Sequence, residues 1–183
     1  CISVEICTAT FQMGNDISLI VSNAIFGDGA AAVLLWHRDQ GPGIEAERSY
    51  FDPAFRDDVR YVYRNGQLHN RITARLPQVI GDTVPGFLKD MVAERALTPG
   101  DIDHWALHPG GARMMELIQE KTGLTDRKMR TSREVYADYG NMSSPTVLFA
   151  LERLLSNGTR RGQWYAVAAY GAGLSIHGAL LRA

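Results

Sequence analysis

The chain has 183 residues, with 19 lysines and arginines against 20 aspartates and glutamates, so its formal net charge is −1. Hydrophobic residues make up 45% and charged residues 21%, a balance that fits one globular domain and excludes a disordered chain. The near-neutral charge gives no electrostatic attraction to nucleic acid or an anionic membrane. The longest apolar run, Ala30–Trp36, is too short to span a bilayer.

The cysteines and the first residue indicate the setting of the chain. Two cysteines do not form a disulfide framework, so we expect a reducing, cytoplasmic compartment. The sequence opens at Cys1, in strand-like residues, with neither an initiator methionine nor a signal-peptide pattern. This opening predicts a piece of a longer protein.

The first 36 residues predict two strands and one helix. Ile2–Phe11 is rich in β-branched and apolar residues and predicts a strand buried on both faces. Asp16–Asn23 has helical spacing of its apolar residues, with Asp16 placed as the N-cap. Phe26–Gly29 predicts a turn, and Ala30–Trp36 predicts a second buried strand.

The middle of the chain predicts a loop-rich segment, then a strand that ends in a turn, and then a helix. Residues 37–58 mix glycine, proline and charge, which predicts an exposed strand and a loop. Val59–Arg64 alternates apolar and polar residues and ends at Asn65–Gly66, a strong turn dipeptide. Val79–Leu97 has helical periodicity, with Pro85 either in its first turn or at a kink.

The last 80 residues alternate strands and helices. The predicted strands are Ile102–Leu107, Trp164–Tyr170 and Leu174–Leu181, and the predicted helices are Ala112–Thr122, a short Arg133–Asp138 and Pro145–Leu155. Alternation of this kind favours an α/β fold in which helices cover a mixed sheet.

A histidine at the end of a buried strand is the most informative single feature. His108 is followed by Pro109, Gly110 and Gly111, where a loop opens from the carboxyl edge of the sheet and ligands commonly bind. The glycines would let backbone approach a ligand and lie at the entrance of a helix. On this segment alone, a histidine that hydrogen-bonds within its own turn is the favoured interpretation.

Three further loops carry small or polar residues. Asn141 could donate into a pocket at a helix entrance, although an N-cap or turn role is favoured when it is taken alone. Tyr170–Ser175 predicts either a tight hairpin or a loop that makes room for a ligand. Phe26 is either a core residue or the wall of a pocket mouth.

Taken together, these segments resemble the C-terminal half of the type III polyketide synthases, the chalcone synthase-like family. The matching segments are EICTATF at Glu5–Phe11, IFGDGAAAV at Ile25–Val33, HPGG at His108–Gly111, YGNMSS at Tyr139–Ser144 and GAGLS at Gly171–Ser175. The wider condensing enzymes, ketoacyl synthase III and hydroxymethylglutaryl-CoA synthase, also use His and Asn, but typically without the Pro-Gly-Gly.

The resemblance implies a thiolase-like fold of two similar α/β halves, with the active site where the halves meet. Residues 1–183 would be the C-terminal domain of a condensing enzyme, and a cysteine nucleophile would lie in an N-terminal half absent from this chain. His108 matches the catalytic histidine and Asn141 the catalytic asparagine, which decarboxylate malonyl-CoA for extension of a Cys-bound acyl starter. Two donors aimed at the thioester oxygen suit that chemistry, because negative charge develops there.

The resemblance also assigns substrate-binding positions. Phe26 matches the gatekeeper aromatic, Thr10 and Ser143 match cavity-lining positions, and Gly110 and Gly111 would let the CoA arm pass near backbone. Gly171 and Gly173 match a glycine-rich loop of the cavity wall. This chain departs from the plant pattern at three places, with Cys7 in place of Thr, Tyr170 in place of Phe and Ala172 in place of Pro.

Other groups have no expected catalytic role. We expect neither cysteine to be the nucleophile, since Cys7 lies inside a strand and Cys1 begins one. The remaining histidines lack metal-ligand spacing, so we predict no metal, and no bound cofactor beyond CoA thioester substrates.

Three hypotheses therefore stand. The first is an iterative acyltransferase of the type III class that uses malonyl-CoA and an acyl-CoA starter, acts as a homodimer and is inactive as this chain alone. The second is a ketoacyl synthase III-like enzyme that prefers acyl carrier protein. The third is a non-catalytic half retained for dimerisation or as a scaffold.

Overall fold

The computed structural model describes residues 1–37, 41–64 and 66–183, within which the chain forms strands β1–β8 and helices α1–α5. The strands are β1 (Ile2–Glu5), β2 (Gly29–Ala32), β3 (Gly43–Phe51), β4 (Val59–Arg64), β5 (Gln67–Ile72), β6 (His104–Leu107), β7 (Trp164–Gly171) and β8 (Ser175–Arg182). The helices are α1 (Ile17–Ile25), α2 (Leu76–Ala93), α3 (Ala112–Thr122), α4 (Asp126–Tyr139) and α5 (Thr146–Ser156). Among the described residues, none of the helices combines the length and apolar character needed to cross a bilayer.

A four-stranded mixed sheet is the centre of the molecule. Its strand order is β3-β8-β7-β6, and β6 pairs with β7 in parallel while the other two pairings are antiparallel. The chain passes through α3, α4 and α5 between the two parallel strands, so the loop after β6 leaves the carboxyl edge of the sheet. The prediction of an α/β fold with a mixed sheet is confirmed.

Alternating side chains give the sheet two buried faces. On β6, Trp105 and Leu107 pack into the core with α2 and α3, whereas Ala106 packs with α5 and Tyr165 on the opposite face. This period of two lets one short strand contribute to both cores. At β6 the sheet is therefore covered on both sides.

Helix α4 is longer than its sequence predicts. The short helix expected at Arg133–Asp138 is the C-terminal part of a helix that spans Asp126–Tyr139. Thr125 is its N-cap, and the Thr125 hydroxyl accepts a hydrogen bond from the Lys128 backbone N–H. Its sequence is strongly polar, so only a narrow stripe is buried and the apolar periodicity is weak. Within that stripe, the buried Ser132 hydroxyl accepts the Leu107 N–H at 3.0 Å and ties α4 to the end of β6.

The N-terminal unit is less buried than predicted. Ile2–Glu5 forms only a short strand paired with Gly29–Ala32, and Cys7–Thr10 form a 3₁₀ turn instead of continuing it. The expectation of burial on both faces is wrong for this chain: Ile2 is 81% exposed, because a two-stranded sheet has no layer packed over it. The second predicted strand is likewise shortened, and Leu34–Trp36 lie beyond it as exposed residues.

The middle of the chain forms a hairpin, β4–β5, followed by the long helix α2. Strands β4 and β5 pair antiparallel from Val59↔Ile72 to Arg64↔Gln67, which confirms the predicted turn region, although Asn65 itself lies outside the described residues. Helix α2 begins at Leu76, three residues before the predicted start, which places Pro85 in its interior rather than its first turn. The early start is supported by Pro77, a residue suited to the first turn of a helix.

Candidate active site

A cavity of about 470 Å³ opens beside the carboxyl end of β6. Its wall is built by one face of α1, the β4–β5 hairpin, the start of α2, the loop after β6, the loop after α4 and the end of β7. Seven of the predicted site residues lie on this wall: Phe26, His108, Gly110, Gly111, Asn141, Ser143 and Gly171. Segments far apart in sequence therefore meet at one site.

His108 is held by the sheet. Its backbone N–H donates to the Ala168 carbonyl at 2.8 Å, which extends the pairing of β6 with β7 by one residue. The imidazole is buried, and its ring meets the Tyr170 ring edge-on with 5.3 Å between centroids. Burial lowers the pKa of His108 to about 4, so the imidazole is neutral at neutral pH. A neutral imidazole offers one N–H donor and one acceptor nitrogen.

Gly110 lets three elements converge behind His108. A Cβ at this position would lie 3.0 Å from the Tyr170 ring and 3.2 Å from the Met114 sulfur, so a larger residue would push the cavity wall apart. The next residue, Gly111, is the N-cap of α3 and has no side chain to cap it. The first backbone N–H groups of α3 therefore have no side-chain partner beside the cavity.

Asn141 is held by backbone from another part of the chain. Its N–H donates to the Ile25 carbonyl at 2.8 Å, and its carbonyl accepts the Gly27 N–H at 2.9 Å. These bonds form a parallel bridge between Phe26 and Asn141. The end of α1 and the loop after α4 are thus fastened together at the cavity wall.

The contact between these two loops explains the glycines of both motifs. A Cβ on Gly27 would lie 2.6 Å from the Tyr139 carbonyl oxygen, and one on Gly140 would lie 2.8 Å from the Ile25 carbonyl oxygen. Gly140 also has φ +71°, a conformation that side chains rarely adopt. The FGDG and YGN segments, which are separate in the sequence, therefore pack backbone against backbone. We call this contact, between Ile25–Gly27 and Tyr139–Asn141, the backbone clamp.

The amide orientation of Asn141 follows from its neighbours. Its Oδ1 accepts the Ser143 backbone N–H at 2.8 Å, and its Nδ2 donates to the Gly110 carbonyl at 3.2 Å. Because a backbone N–H can only donate, the oxygen must face Ser143 and the NH₂ must face Gly110. One of the two amide N–H groups has no partner among the described residues and is available to a ligand.

Two predicted residues lie apart from the main cavity. Thr10 lines a smaller chamber of about 60 Å³, which shares Phe26, Tyr61 and Asn70 with the main wall. Its hydroxyl donates to the Cys7 carbonyl at 2.9 Å and stabilises the 3₁₀ turn. Gly173 lies in the turn between β7 and β8, outside the wall of either cavity.

Cys7 is a thiol in a setting that disfavours the thiolate. Burial, followed by the carboxylates of Glu5 and Asp28, raises the pKa of Cys7 to about 11. A thiol with this pKa is a weak nucleophile at neutral pH. Its place in the smaller chamber fits the expectation that Cys7 is a structural or cavity-lining residue.

The sequence does not indicate an ion pair next to the cavity wall, formed by Asp58 with Arg75 and joined by Thr73, which we call the latch. Asp58 is 3% exposed, and its carboxylate accepts hydrogen bonds from Thr73 at 2.5 Å and from Arg75 at 2.6 and 2.8 Å. The Arg75 guanidinium lowers the pKa of this carboxyl, so the pair is ionised at neutral pH. The latch ties the start of the hairpin to the start of α2, but its residues are not contiguous and form no motif.

The side chains that could hold a metal are dispersed. Within residues 1–37, 41–64 and 66–183, no three His, Cys, Asp or Glu side chains come together as a metal site. The expectation that the protein uses no metal or bound cofactor stays a prediction.

The sequence was compared with protein families and with curated proteins. Residues 51–183 match the family described as chalcone and stilbene synthases, C-terminal domain. The chain is 31% identical over 97% of its length to a 3,5-dihydroxyphenylacetyl-CoA synthase of Streptomyces toyocaensis. It is 32% identical over 99% of its length to a 1,3,6,8-tetrahydroxynaphthalene synthase of Streptomyces peucetius subsp. caesius. The alignments cover 48% and 50% of those relatives, so the chain spans about half of their length.

Solved structures show the same likeness in three dimensions. The 1,3,6,8-tetrahydroxynaphthalene synthase of Streptomyces coelicolor A3(2), a bacterial type III polyketide synthase, superposes with a TM-score of 0.92 at 27% identity. That match covers 99% of this chain and 53% of the synthase. PKS-I from the brown alga Ectocarpus siliculosus shares the fold at 24% identity, with a TM-score of 0.84 and coverage of 99% and 51%. The fold is therefore the thiolase-like α/β fold of these enzymes, as predicted.

Proposed function

The chain belongs to the chalcone and stilbene synthase family, whose C-terminal domain it matches, and from this premise we propose that it supplies the decarboxylating half of a type III polyketide synthase. One observation carries the proposal. His108 and the fixed amide of Asn141 lie on the wall of one cavity, and the Asn141 amide is bonded to the Gly110 carbonyl. Both are neutral donors at neutral pH, and the cavity that they line also includes the uncapped start of α3.

The proposed reaction uses these donors at one oxygen. When malonyl-CoA loses CO₂, the bond between the carboxylate and the methylene breaks and its electron pair moves into the thioester, forming an enolate. The N–H groups of His108 and Asn141 stabilise the negative oxygen. The enolate carbon then attacks an acyl group held as a thioester on a cysteine, forming a C–C bond, and the sulfur leaves as a thiolate.

The rest of the wall would bind the substrates. We assign Phe26, Gly110 and Gly111 to the path of the CoA arm, because all three lie on the wall of the main cavity. Ser143 and Gly171 would contact the growing chain in the main cavity, and Thr10 would contact it from the smaller chamber. The substrates are malonyl-CoA and an acyl-CoA starter, with no bound cofactor.

The first 36 residues expose an apolar surface that we assign to protein contacts. Ile2, Met13, Ile17 and Leu34 are each more than 75% exposed. Apolar side chains concentrated in one part of a soluble domain usually mark an interaction surface. We propose that an N-terminal half, which supplies the nucleophilic cysteine, and a second copy in a homodimer cover it, and that this chain alone is inactive. The compartment we propose is the cytoplasm, where the free thiols of Cys1 and Cys7 stay reduced.

The test is CO₂ release from malonyl-CoA by the complete polypeptide. The variants His108→Ala and Asn141→Ala should each lower this rate by about 10²–10³-fold, the effect of removing an oxyanion donor. His177→Ala and Asn157→Ala are matched controls, because both side chains are exposed and lie outside the cavity. Sedimentation of the same sample should show a dimer.

Each other outcome has a definite meaning. A complete polypeptide that releases no CO₂ from malonyl-CoA would refute the proposed function. Release from malonyl carrier protein alone would instead favour the ketoacyl synthase III-like hypothesis. Activity of residues 1–183 without the N-terminal half would contradict the assignment of the nucleophile to that half.

A further inference from the structure

One hydroxyl beside the two proposed donors has no partner. Tyr170 lies at the end of β7 on the wall of the 470 Å³ cavity. Its hydroxyl oxygen is buried beside the Gly110 backbone N–H, which can only donate, and among residues 1–37, 41–64 and 66–183 the hydroxyl has no acceptor for its own proton. A buried hydroxyl without a partner destabilises the folded state, because the hydrogen bonds it made to water are lost. Such a group in a cavity wall indicates a partner that arrives with the ligand.

The position of Tyr170 identifies the part of the ligand that it meets. Its ring stands edge-on to His108, with 5.3 Å between centroids and an angle of 79°. Its hydroxyl lies 3.4 Å from the place where a Cβ of Gly110 would stand, and the Gly110 carbonyl accepts from Asn141. The hydroxyl and the Asn141 amide thus both lie beside Gly110, and the His108 ring packs against the ring that carries the hydroxyl.

The phenol keeps its proton and can therefore donate a hydrogen bond there. Burial raises the pKa of Tyr170 well above its ordinary value, and the adjacent Gly110 backbone offsets only part of this rise. The hydroxyl therefore keeps its proton at any pH at which the protein would work. A protonated phenol needs an acceptor, and the carbonyl of a thioester is a neutral acceptor with lone pairs to spare.

We propose that the Tyr170 hydroxyl donates a hydrogen bond to the carbonyl oxygen of the CoA thioester bound between His108 and Asn141. The inference rests on the proposed function for the identity of the ligand. It adds a third neutral donor to the site, which matters because the neutral His108 supplies only one N–H. Tyr165, on the same strand, is different: it belongs to the opposite core, and its hydroxyl bonds to Gln163.

The variant Tyr170→Phe in the complete polypeptide removes only the hydroxyl and keeps the ring that packs against Gly110. We expect kcat/KM for CO₂ release from malonyl-CoA to fall by about five- to tenfold, the size of one neutral hydrogen bond. Tyr165→Phe is the matched control and should leave kcat/KM within twofold of the wild type. Unchanged kcat/KM in Tyr170→Phe, together with a raised Tm, would show that the hydroxyl is only an unsatisfied group and would overturn the inference.

A binding measurement separates this inference from the proposed function. The probe is an acetyl-CoA analogue in which a methylene replaces the sulfur, so that the carbonyl is kept and no acyl transfer can occur. Calorimetry should show that Tyr170→Phe weakens its binding by about five- to tenfold, while the affinity for free CoA, which lacks the carbonyl, stays the same. Equal losses for both ligands, or no loss for either, would overturn the inference even if the enzyme decarboxylates malonyl-CoA. A loss confined to the analogue would support it even if malonyl-CoA releases no CO₂.

Discussion

His108 and Asn141 reach the same cavity by different means. His108 continues a strand in a four-stranded sheet, and its N–H pairs with Ala168 as the next rung of a ladder. Asn141 lies in a loop, and its backbone is bonded to Ile25 and Gly27 at the end of α1. Its side chain makes two further bonds, to Ser143 and Gly110. The ladder spreads a local disturbance over many bonds, whereas the backbone of Asn141 is joined to α1 at one close contact between two segments. The histidine should therefore tolerate changes nearby that the asparagine does not.

Gly140→Ala is the sharpest way to break the loop contact. The added Cβ would lie 2.8 Å from the Ile25 carbonyl oxygen, and the residue would have to keep φ +71°. Strain and overpacking together should lower the free energy of unfolding by about 4 kcal/mol. Release of CO₂ by the complete polypeptide should fall by about 10²–10³-fold, as for loss of the Asn141 donor itself. Urea unfolding and the decarboxylation assay measure the two effects.

The control for this variant is another glycine replaced in the same way. Gly86 is exposed in α2, and a Cβ there meets nothing within 4 Å. Gly86→Ala should raise the free energy of unfolding by about 0.5–1 kcal/mol, because alanine favours the helix, and leave the decarboxylation rate unchanged. If Gly140→Ala behaved like Gly86→Ala, Asn141 would not depend on the backbone clamp.

The same contrast, between a local pattern and a contact of distant segments, explains which features the sequence predicts correctly. Helix α3 occupies Ala112–Thr122, as predicted, because its apolar stripe is regular and Gly123 ends it in a left-handed conformation. A strand followed by Pro-Gly-Gly likewise placed His108 correctly at a sheet edge, because local patterns determine both features. The clamp around Asn141 joins loops more than 100 residues apart, and no local pattern expresses their contact.

Three further differences between prediction and structure also arise because local sequence patterns do not show contacts between distant segments. The length of α4 was underestimated because it is a polar helix with a narrow buried stripe, of which Ser132 is a member. The resemblance makes Thr10 a cavity-lining position, and the 3₁₀ turn at Cys7–Thr10 places it on the smaller chamber rather than the main one. The sequence marks Tyr170 as part of a loop and as a departure from the plant pattern, but it does not indicate the unpartnered hydroxyl, which depends on the three-dimensional contacts.

Acid should distinguish the histidine from the asparagine. Burial holds the pKa of His108 near 4, whereas in the unfolded chain the imidazole takes up a proton near its ordinary pKa of about 6.5. The unfolded state therefore binds more protons between pH 6.5 and 4, and the free energy of unfolding falls over this range as the pH is lowered. The loss from His108 should reach about 3 kcal/mol near pH 4.

Urea unfolding of wild type, His108→Gln and Asn141→Ala at pH 7 and pH 4.5 measures this effect. His108→Gln removes the titrating group, so its free energy of unfolding should fall less between the two pH values than that of the wild type. Asn141→Ala should keep the full acid dependence, because an amide does not titrate. The same loss on acidification in His108→Gln and wild type would mean that His108 is not held neutral by the fold.

Of the three destabilising changes, Ser132→Ala should lower the free energy of unfolding least. It tests whether His108 keeps its place when one neighbouring hydrogen bond of β6 is removed. The Ser132 hydroxyl is fully buried and accepts the Leu107 N–H, one residue before His108. Its removal leaves that N–H without its partner and should lower the free energy of unfolding by about 2 kcal/mol. The bond from the His108 N–H to the Ala168 carbonyl remains, so the decarboxylation rate should change less than threefold. A rate loss as large as that of Gly140→Ala would show that the histidine depends on a single contact as the asparagine does, and the distinction between ladder and loop would fail.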